Sequence, residues 1–285
     1  MKIVAFGEIM GRICMPSALK FIQALPGPAD ITFAGAEANV AASVSLFGAE
    51  AVFVTALPRN ELSSALIMTL HRLGINTEHI LLRDEGRLGL YFVEPGANQR
   101  PSRVIYDRGW STVSMTPGDM YDWKNALKDA DWFHISGITP ALSETSLEAS
   151  VIGARMAKEC GVKVSIDLNF RSKLWKYGNG LSPKELCRKS MARILPYADL
   201  VIGNEGDADD VMGIKAGESD VAGGKLDIGR YPEVAAKIVG LYPNVSRVAI
   251  TLRESISATH NNWGAMLYTA EDGRYFFAPV RNGDY

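Results

Sequence analysis

The spacing of apolar positions changes along the chain, and each change marks an element. Residues 2–6, KIVAF, form a short apolar run that reads as a strand ending at Gly7-Glu8. Residues 15–30 are proline-rich and irregular, and residues 31–33 predict a short strand leading into Gly35. From Ala36 the period becomes helical, with Val40, Val44 and Phe47 at i, i+4 and i+7 and Gly48 placed to stop the helix. A strand over 51–56, a helix over 61–73 stopped by Gly74 and an extended stretch over 77–82 follow.

Residues 87–108 break this series. Leu88, Leu90 and Phe92 alternate with Gly89, Tyr91 and Val93, and Val104 and Tyr106 alternate with Ile105 and Asp107. Between them lies PGANQRPS, rich in turn residues, so the segment predicts an antiparallel hairpin that covers a pocket as a flap. Alternation of strands and helices then resumes. Strands are expected over 132–136, 162–166, 200–202 and 248–252, helices over 143–160, 183–195 and 234–242, and a last hairpin joins 264–268 to 275–278. Residues 215–225 read as a loose surface loop. The class is α/β, with a mainly parallel sheet covered by helices on both faces and a small β-flap. The domain reading is one such unit over 1–285, with the 87–108 hairpin inserted in it as a lid.

Composition narrows the setting. The chain has 285 residues, 47% hydrophobic and 22% charged, with a net charge of -2, an ordinary balance that does not point to nucleic acid or an anionic membrane. No apolar run approaches the roughly 20 residues of a membrane helix, and the first ten residues lack a signal peptide's cleavage site. Cys14, Cys160 and Cys187 are an odd, widely spaced set, which suits buried thiols in the cytoplasm better than disulfides.

The candidate chemistry concentrates at strand ends. Residues 162–175, VKVSIDLNFRSKLW, run from alternating β-formers into Asp167, Asn169 and Arg171. In an open α/β sheet, ligands sit beyond the carboxyl ends of the strands. An acid, an amide and a guanidinium there suit a polyhydroxylated or anionic small molecule, and a bland strand-end turn carrying solvated polar residues is the competing reading. Gly35 permits close approach of a backbone or ligand, and Asn39 falls in the first helical turn, where free N–H groups favour oxygen ligands. Glu8 faces the same way, although acids at strand ends are common. The four histidines show no metal spacing, and the five tryptophans read as packing residues.

The segment GAEANVA, the helix ending in Phe47-Gly48-Ala49 and the strand into Val54-Thr55 resemble the first signature of the ribokinase-like (PfkB) carbohydrate kinases. Leu90-Tyr91-Phe92, QRPSRVIYDR over 99–108 and DLNFRSKLW over 167–175 are similar to the 2-keto-3-deoxygluconate kinases of that family. The resemblance implies a ribokinase-like fold and ATP-dependent phosphorylation of a keto-deoxy sugar acid, with Mg2+ held through water. It places Gly35, Ala36 and Asn39 on the sugar hydroxyls, Tyr91 and Tyr106 over the substrate, and Arg108 and Arg171 on its carboxylate. Asn169 would sit near the phosphates. Asn204 and Asp207 would occupy the family's N-x-x-E motif, here with Asp in the fourth place, and Thr251 or Arg253 would serve the nucleotide phosphates. Sugar acid and ATP are the implied partners, and the flap face invites pairing with a second copy.

Two departures qualify this. The family's K-x-G-x-x-G pattern is replaced by TLRESISATHNNWGAMLY, and its G-x-G-D turn, which carries the general-base Asp, is expected beyond Tyr285; Asp284 lacks the accompanying turn and helix. A neutral-sugar kinase of fructokinase type and a non-catalytic sugar-acid binder therefore remain open alternatives. A dinucleotide-binding dehydrogenase, a P-loop kinase and a nucleophile-elbow hydrolase each lack their motif: G-x-G-x-x-G, G-x-x-x-x-G-K-S/T and G-x-S-x-G respectively.

Overall fold

Strand β1 (Lys2–Phe6) is buried along almost its whole length, the signature of a strand covered on both faces. In the computed structural model, which describes residues 1–214 and 230–278, it sits inside a ten-stranded sheet. After it come β2 (Met10–Cys14), the single turn α1 (Phe21–Ala24), β3 (Asp30–Ala34) and α2 (Ala36–Leu46). Next are β4 (Glu50–Pro58), α3 (Glu61–Arg72) and the short strands β5 (Ile75–Asn76) and β6 (Ile80–Arg83). The flap hairpin is β7 (Leu90–Glu94) and β8 (Arg103–Asp107), followed by the short helices α4 (Thr112–Met115) and α5 (Trp123–Ala126).

The second half repeats a strand–helix rhythm: β9 (Trp132–Ser136), α6 (Glu144–Glu159), β10 (Lys163–Asp167), α7 (Pro183–Met191), β11 (Leu200–Gly203) and α8 (Glu205–Met212). It closes with α9 (Tyr231–Leu241), β12 (Arg247–Ser255), β13 (Asn261–Thr269) and β14 (Tyr275–Phe277). The expected loop over 215–225 and the segment 282–285 lie outside the described residues.

The large sheet runs β14-β13-β12-β11-β10-β9-β1-β4-β5, with β6 also on β4. It is parallel from β12 to β6, and β13 and β14 add an antiparallel edge. Chain order reverses beside β1. The chain first builds outward through β4 and β5, then returns to β9 and builds outward through β10, β11 and β12. That reversal opens a crevice at the carboxyl ends of β1, β9 and β10.

Alternation along the strands feeds two cores. Val52 and Val54 of β4 join Val4, Phe6 and Phe133 on one face, whereas Ala51 and Phe53 join Ala5, Leu66 and Leu70 under α2 and α3 on the other. The helical spacing that predicts α2 marks its packing face only in part: Val44 is partly buried against the core that holds Ala38 and Ala41. Ala38 and Ala41 are buried, while Phe47 is 90% exposed. Small residues let this helix approach the ends of β1 and β4 closely, so its packing surface is nearly silent in hydrophobicity.

The flap is also larger than a hairpin. β7 and β8 pair antiparallel over Leu90–Glu94 and Arg103–Asp107, but β2 lies parallel to β7 and antiparallel to β3. Four strands in the order β3-β2-β7-β8 thus form a second sheet over the crevice. β13 likewise pairs with β12 along nine residues in addition to its turn into β14. Among the described residues no helix is long and apolar enough to cross a membrane. Cys14 and Cys187 are buried free thiols as expected, and Cys160 is exposed.

Candidate active site

Two cavities meet at the carboxyl ends of the central strands, and Asn169 and Arg171 line both. Leaving β10, the chain turns sharply at Asn169, whose φ of 34° lies in the left-handed region that Asn tolerates better than most residues. This turn directs the polar groups after Asp167 into the crevice instead of continuing the strand.

The first cavity, about 310 Å³, lies between α2 and the small sheet. Gly35, Ala36 and Asn39 form its helical wall, and Tyr91, Tyr106 and Arg108 come from the flap. Gly35 is required there: a Cβ on it would stand 2.1 Å from the Glu8 carbonyl oxygen, closer than any real contact. Tyr91 and Tyr106 face each other across the β7–β8 pair with ring centroids 6.3 Å apart. Arg108 lies over the Tyr106 ring at 5.5 Å. It is 9% exposed, and its Nη2 donates to Glu8 Oε2. Glu8, dismissed above as an ordinary strand-end acid, thus lines this cavity and partners Arg108.

Behind that wall sits Glu37, which the sequence reading passes over. It is fully buried, and Oε1 accepts from Ser136 N (3.1 Å), Ser136 Oγ (2.7 Å) and Thr139 Oγ1 (2.9 Å). Gly7 makes room for it, since a Cβ there would lie 2.2 Å from the Glu37 carboxyl carbon. Burial pushes the Glu37 carboxyl up to about 7, against the lowering effect of its three donors. The residue fastens the N-terminus of α2 to the loop after β9, two walls of the same cavity. An acidic residue among the alanines of a helix's first turn was the available signal.

The second cavity, about 510 Å³, is lined by Asn204, Asp207, Thr251 and Arg253 besides the shared Asn169 and Arg171. Asn204 and Asp207 form a reciprocal cap on α8: Asp207 N donates to Asn204 Oδ1 at 2.8 Å and Asn204 N to Asp207 Oδ2 at 3.2 Å. Asp207 Oδ1 accepts from Phe170 N at 3.1 Å, so one carboxylate ties α8 to the turn after β10. Burial, and then the neighbouring Asp207 charge, hold the Asp167 carboxyl up to about 6, and burial raises Asp207 as well. Arg253 lies 5.3 Å over the ring of Trp263, which lines the cavity and is 59% exposed. Trp263 is therefore a wall of the cleft and not the packing residue expected of it. Thr251 Oγ1 donates to Gly203 O at 3.5 Å.

The seven positions expected at the sugar lie around the first cavity and the five expected at the phosphates around the second. Among known proteins, the model of the pfkB family carbohydrate kinases matches residues 2–227. The chain belongs to that family. Among its relatives is a 2-dehydro-3-deoxygalactonokinase of Haloferax volcanii, 34% identical over 206 residues, which cover 72% of this chain and 61% of that protein. The structure of a 2-dehydro-3-deoxygluconokinase from Thermotoga maritima superposes with a TM-score of 0.88 at 40% identity, covering 98% of this chain and 80% of that one. Fructokinase-1 of Zea mays is 27% identical over 226 residues, 77% of this chain and 65% of that protein. The pfkB chain described here thus spans about three-fifths of the length of these two sequence relatives.

Proposed function

We propose that this protein transfers the terminal phosphoryl group of ATP to a keto-deoxy sugar acid, 2-keto-3-deoxygluconate yielding its 6-phosphate. The observation that carries this reading is the pairing of two guanidiniums, Arg108 and Arg171, with two tyrosines around one flap-covered cavity. A planar fork binds a carboxylate through two parallel hydrogen bonds, and a neutral sugar makes no such demand. The named activities of the Haloferax and Thermotoga relatives support the same substrate class.

The acceptor would lie in the smaller cavity and the nucleotide in the larger, with Asn169 and Arg171 at the junction where the phosphoryl group passes. The larger cavity suits a polyphosphate: Arg171 and Arg253 supply positive charge, and Thr251 and Asn169 supply neutral donors. Mg2+ also fits. Asp207 spends one lone pair of each carboxylate oxygen on a backbone N–H, which leaves it able to hold a hydrated ion through water, and Asp167 adds a second carboxylate beside it. The ion would neutralise phosphate charge there. The protein's own share is positioning: Asn39 and Gly35 orient the sugar, and the flap excludes water that would otherwise accept the phosphoryl group. A second copy seated on the small sheet, where Ile31 and Ile105 are exposed, belongs to the same proposal.

One observation favours a second reading. Glu8 already matches the charge of Arg108, as a cavity for a neutral sugar would require. An ATP-coupled assay offering 2-keto-3-deoxygluconate, its galactonate epimer and fructose separates the two. Turnover of either acid at least about tenfold above fructose in kcat/KM is expected; preference for fructose would overturn the sugar-acid reading.

A further inference from the structure

Glu8 is 2% exposed, lies at the end of β1 and lines the smaller cavity. One of its carboxylate oxygens, Oε2, accepts from Arg108 Nη2. Among the described residues the other, Oε1, has no hydrogen-bond partner, and neither has Arg108 Nε. Leaving a buried carboxylate oxygen unmatched is costly, so groups like this are normally paired or serve a ligand. The surroundings are shaped to keep it there. A Cβ on Gly89 would come within 2.7 Å of Oε1, and one on Gly35 within 2.1 Å of the Glu8 carbonyl oxygen. Gly89 thus clears space beside the carboxylate, and Gly35 beside the main chain that carries it.

Charge also argues for a role beyond neutralising Arg108. Two guanidiniums and one carboxylate line this cavity, a net of one positive charge, which matches a monoanionic ligand. A cavity intended only to attract that anion would be stronger without Glu8. What the acid adds is an acceptor next to a donor, and a sugar acid presents hydroxyl donors near its carboxylate acceptor.

We propose that Glu8 is a specificity-determining residue: Oε2 holds Arg108 in place while Oε1 accepts a hydrogen bond from one hydroxyl of the bound sugar acid. This rests on the sugar-acid reading given above. It differs from that reading in assigning recognition of a hydroxyl, not of the carboxylate, to the end of β1.

Calorimetric binding to the whole chain tests it. The ligands are 2-keto-3-deoxygluconate, fructose, and analogues of the acid in which the C4, C5 or C6 hydroxyl is replaced by hydrogen in turn; the proteins are wild type, Glu8→Gln and Glu8→Asp. In wild type one analogue is expected to bind roughly 30-fold more weakly than the parent acid, and in Glu8→Gln that same penalty falls to roughly fivefold or less. Equal penalties in both proteins for every analogue would overturn the proposal while leaving the sugar-acid reading intact. Binding of fructose without binding of the acid would overturn that reading, and this proposal with it. Should circular dichroism show Glu8→Gln unfolded, Glu8→Asp carries the comparison. It keeps the charge but withdraws the oxygen by one methylene, so a reduced penalty supports the role and an unchanged one removes it.

Discussion

The two cavities use charge in opposite ways. In the wall of the smaller one, acids are buried against donors: Glu8 on Arg108, and Glu37 on three donors behind it. The larger one is lined by two adjacent carboxylates, Asp167 and Asp207, and two guanidiniums, Arg171 and Arg253. The Asp207 charge adds to the cost of ionising Asp167, and Arg253 lies over an exposed indole. Matched, desolvated pairs fix positions and discriminate among ligands by what they leave unpaired. Clustered like charges favour counter-charges that arrive with a ligand, as a hydrated cation and a polyphosphate do. Under the proposed assignment, selection of the acceptor and accommodation of the donor would use different electrostatic styles a few residues apart, with Arg171 lining both cavities.

The largest effect should come from breaking that shared point. Arg171→Ala is expected to weaken binding of the sugar acid by about 2–5 kcal/mol, as loss of one partner of a desolvated charge pair does. It should also weaken the nucleotide, because the same guanidinium faces the second cavity. Arg108→Ala should act on the sugar acid alone. Separate titrations of each variant with acid and with nucleotide check this. Unchanged nucleotide affinity in Arg171→Ala would mean that the cavities are independent sites.

A somewhat smaller effect separates the two styles by pH. The Glu37 carboxyl is raised in the folded protein from 4.5 to about 7, so between those values the folded state holds a proton that the unfolded state has lost. Stability therefore falls as pH rises through this window and levels off above it, by about 3 kcal/mol for a shift of this size. Asp167, raised from 3.8 to about 6, adds a slope of the same sign over a lower window. Glu37→Gln should flatten the upper part of the curve and Asp167→Asn the lower part. Urea unfolding at pH 5, 6, 7 and 8 reads both. An unaltered slope between pH 6 and 7 in Glu37→Gln would show that Glu37 is not the titrating group.

What the sequence revealed follows the same division. Asp167, Asn169, Arg171, Asn204 and Asp207 are polar residues released abruptly at the ends of apolar strands, a contrast visible in one dimension. Glu8 has the same context, yet its importance depends on Arg108, one hundred residues away, and on the space left by Gly89. Glu37 is harder still. Its donors come from the end of β9 and the loop after it, and the helix that carries it buries mainly alanines, so apolar periodicity gives its packing face little contrast. Strand β2 escaped because Met10–Cys14 is short, with Gly11 and Arg12 interrupting its apolar pattern, and only its neighbours β3 and β7 make it a strand. Local contrast is legible along a chain; pairings made by the fold are not.

The smallest expected effect concerns motion in the wall that the cavities do not share. The outer part of the flap is held lightly: Arg103, Ile105 and Tyr106 of β8 are exposed, and among the described residues β8 has a strand neighbour on one side only. β7, in contrast, lies between β2 and β8. Amides at a sheet edge exchange through local opening that costs much less than global unfolding. A ligand that touches Tyr91, Tyr106 and Arg108 adds contacts available only when the flap is closed, so saturating sugar acid should slow exchange across residues 103–108 by roughly one order of magnitude. Nucleotide alone should leave these amides unchanged, because among the flap residues none lines the larger cavity. Hydrogen exchange with each ligand separately decides the matter: protection by nucleotide equal to that by the acid would mean that the flap belongs to both halves of the site, and the contrast between a gated acceptor cavity and an ungated donor cleft would fail.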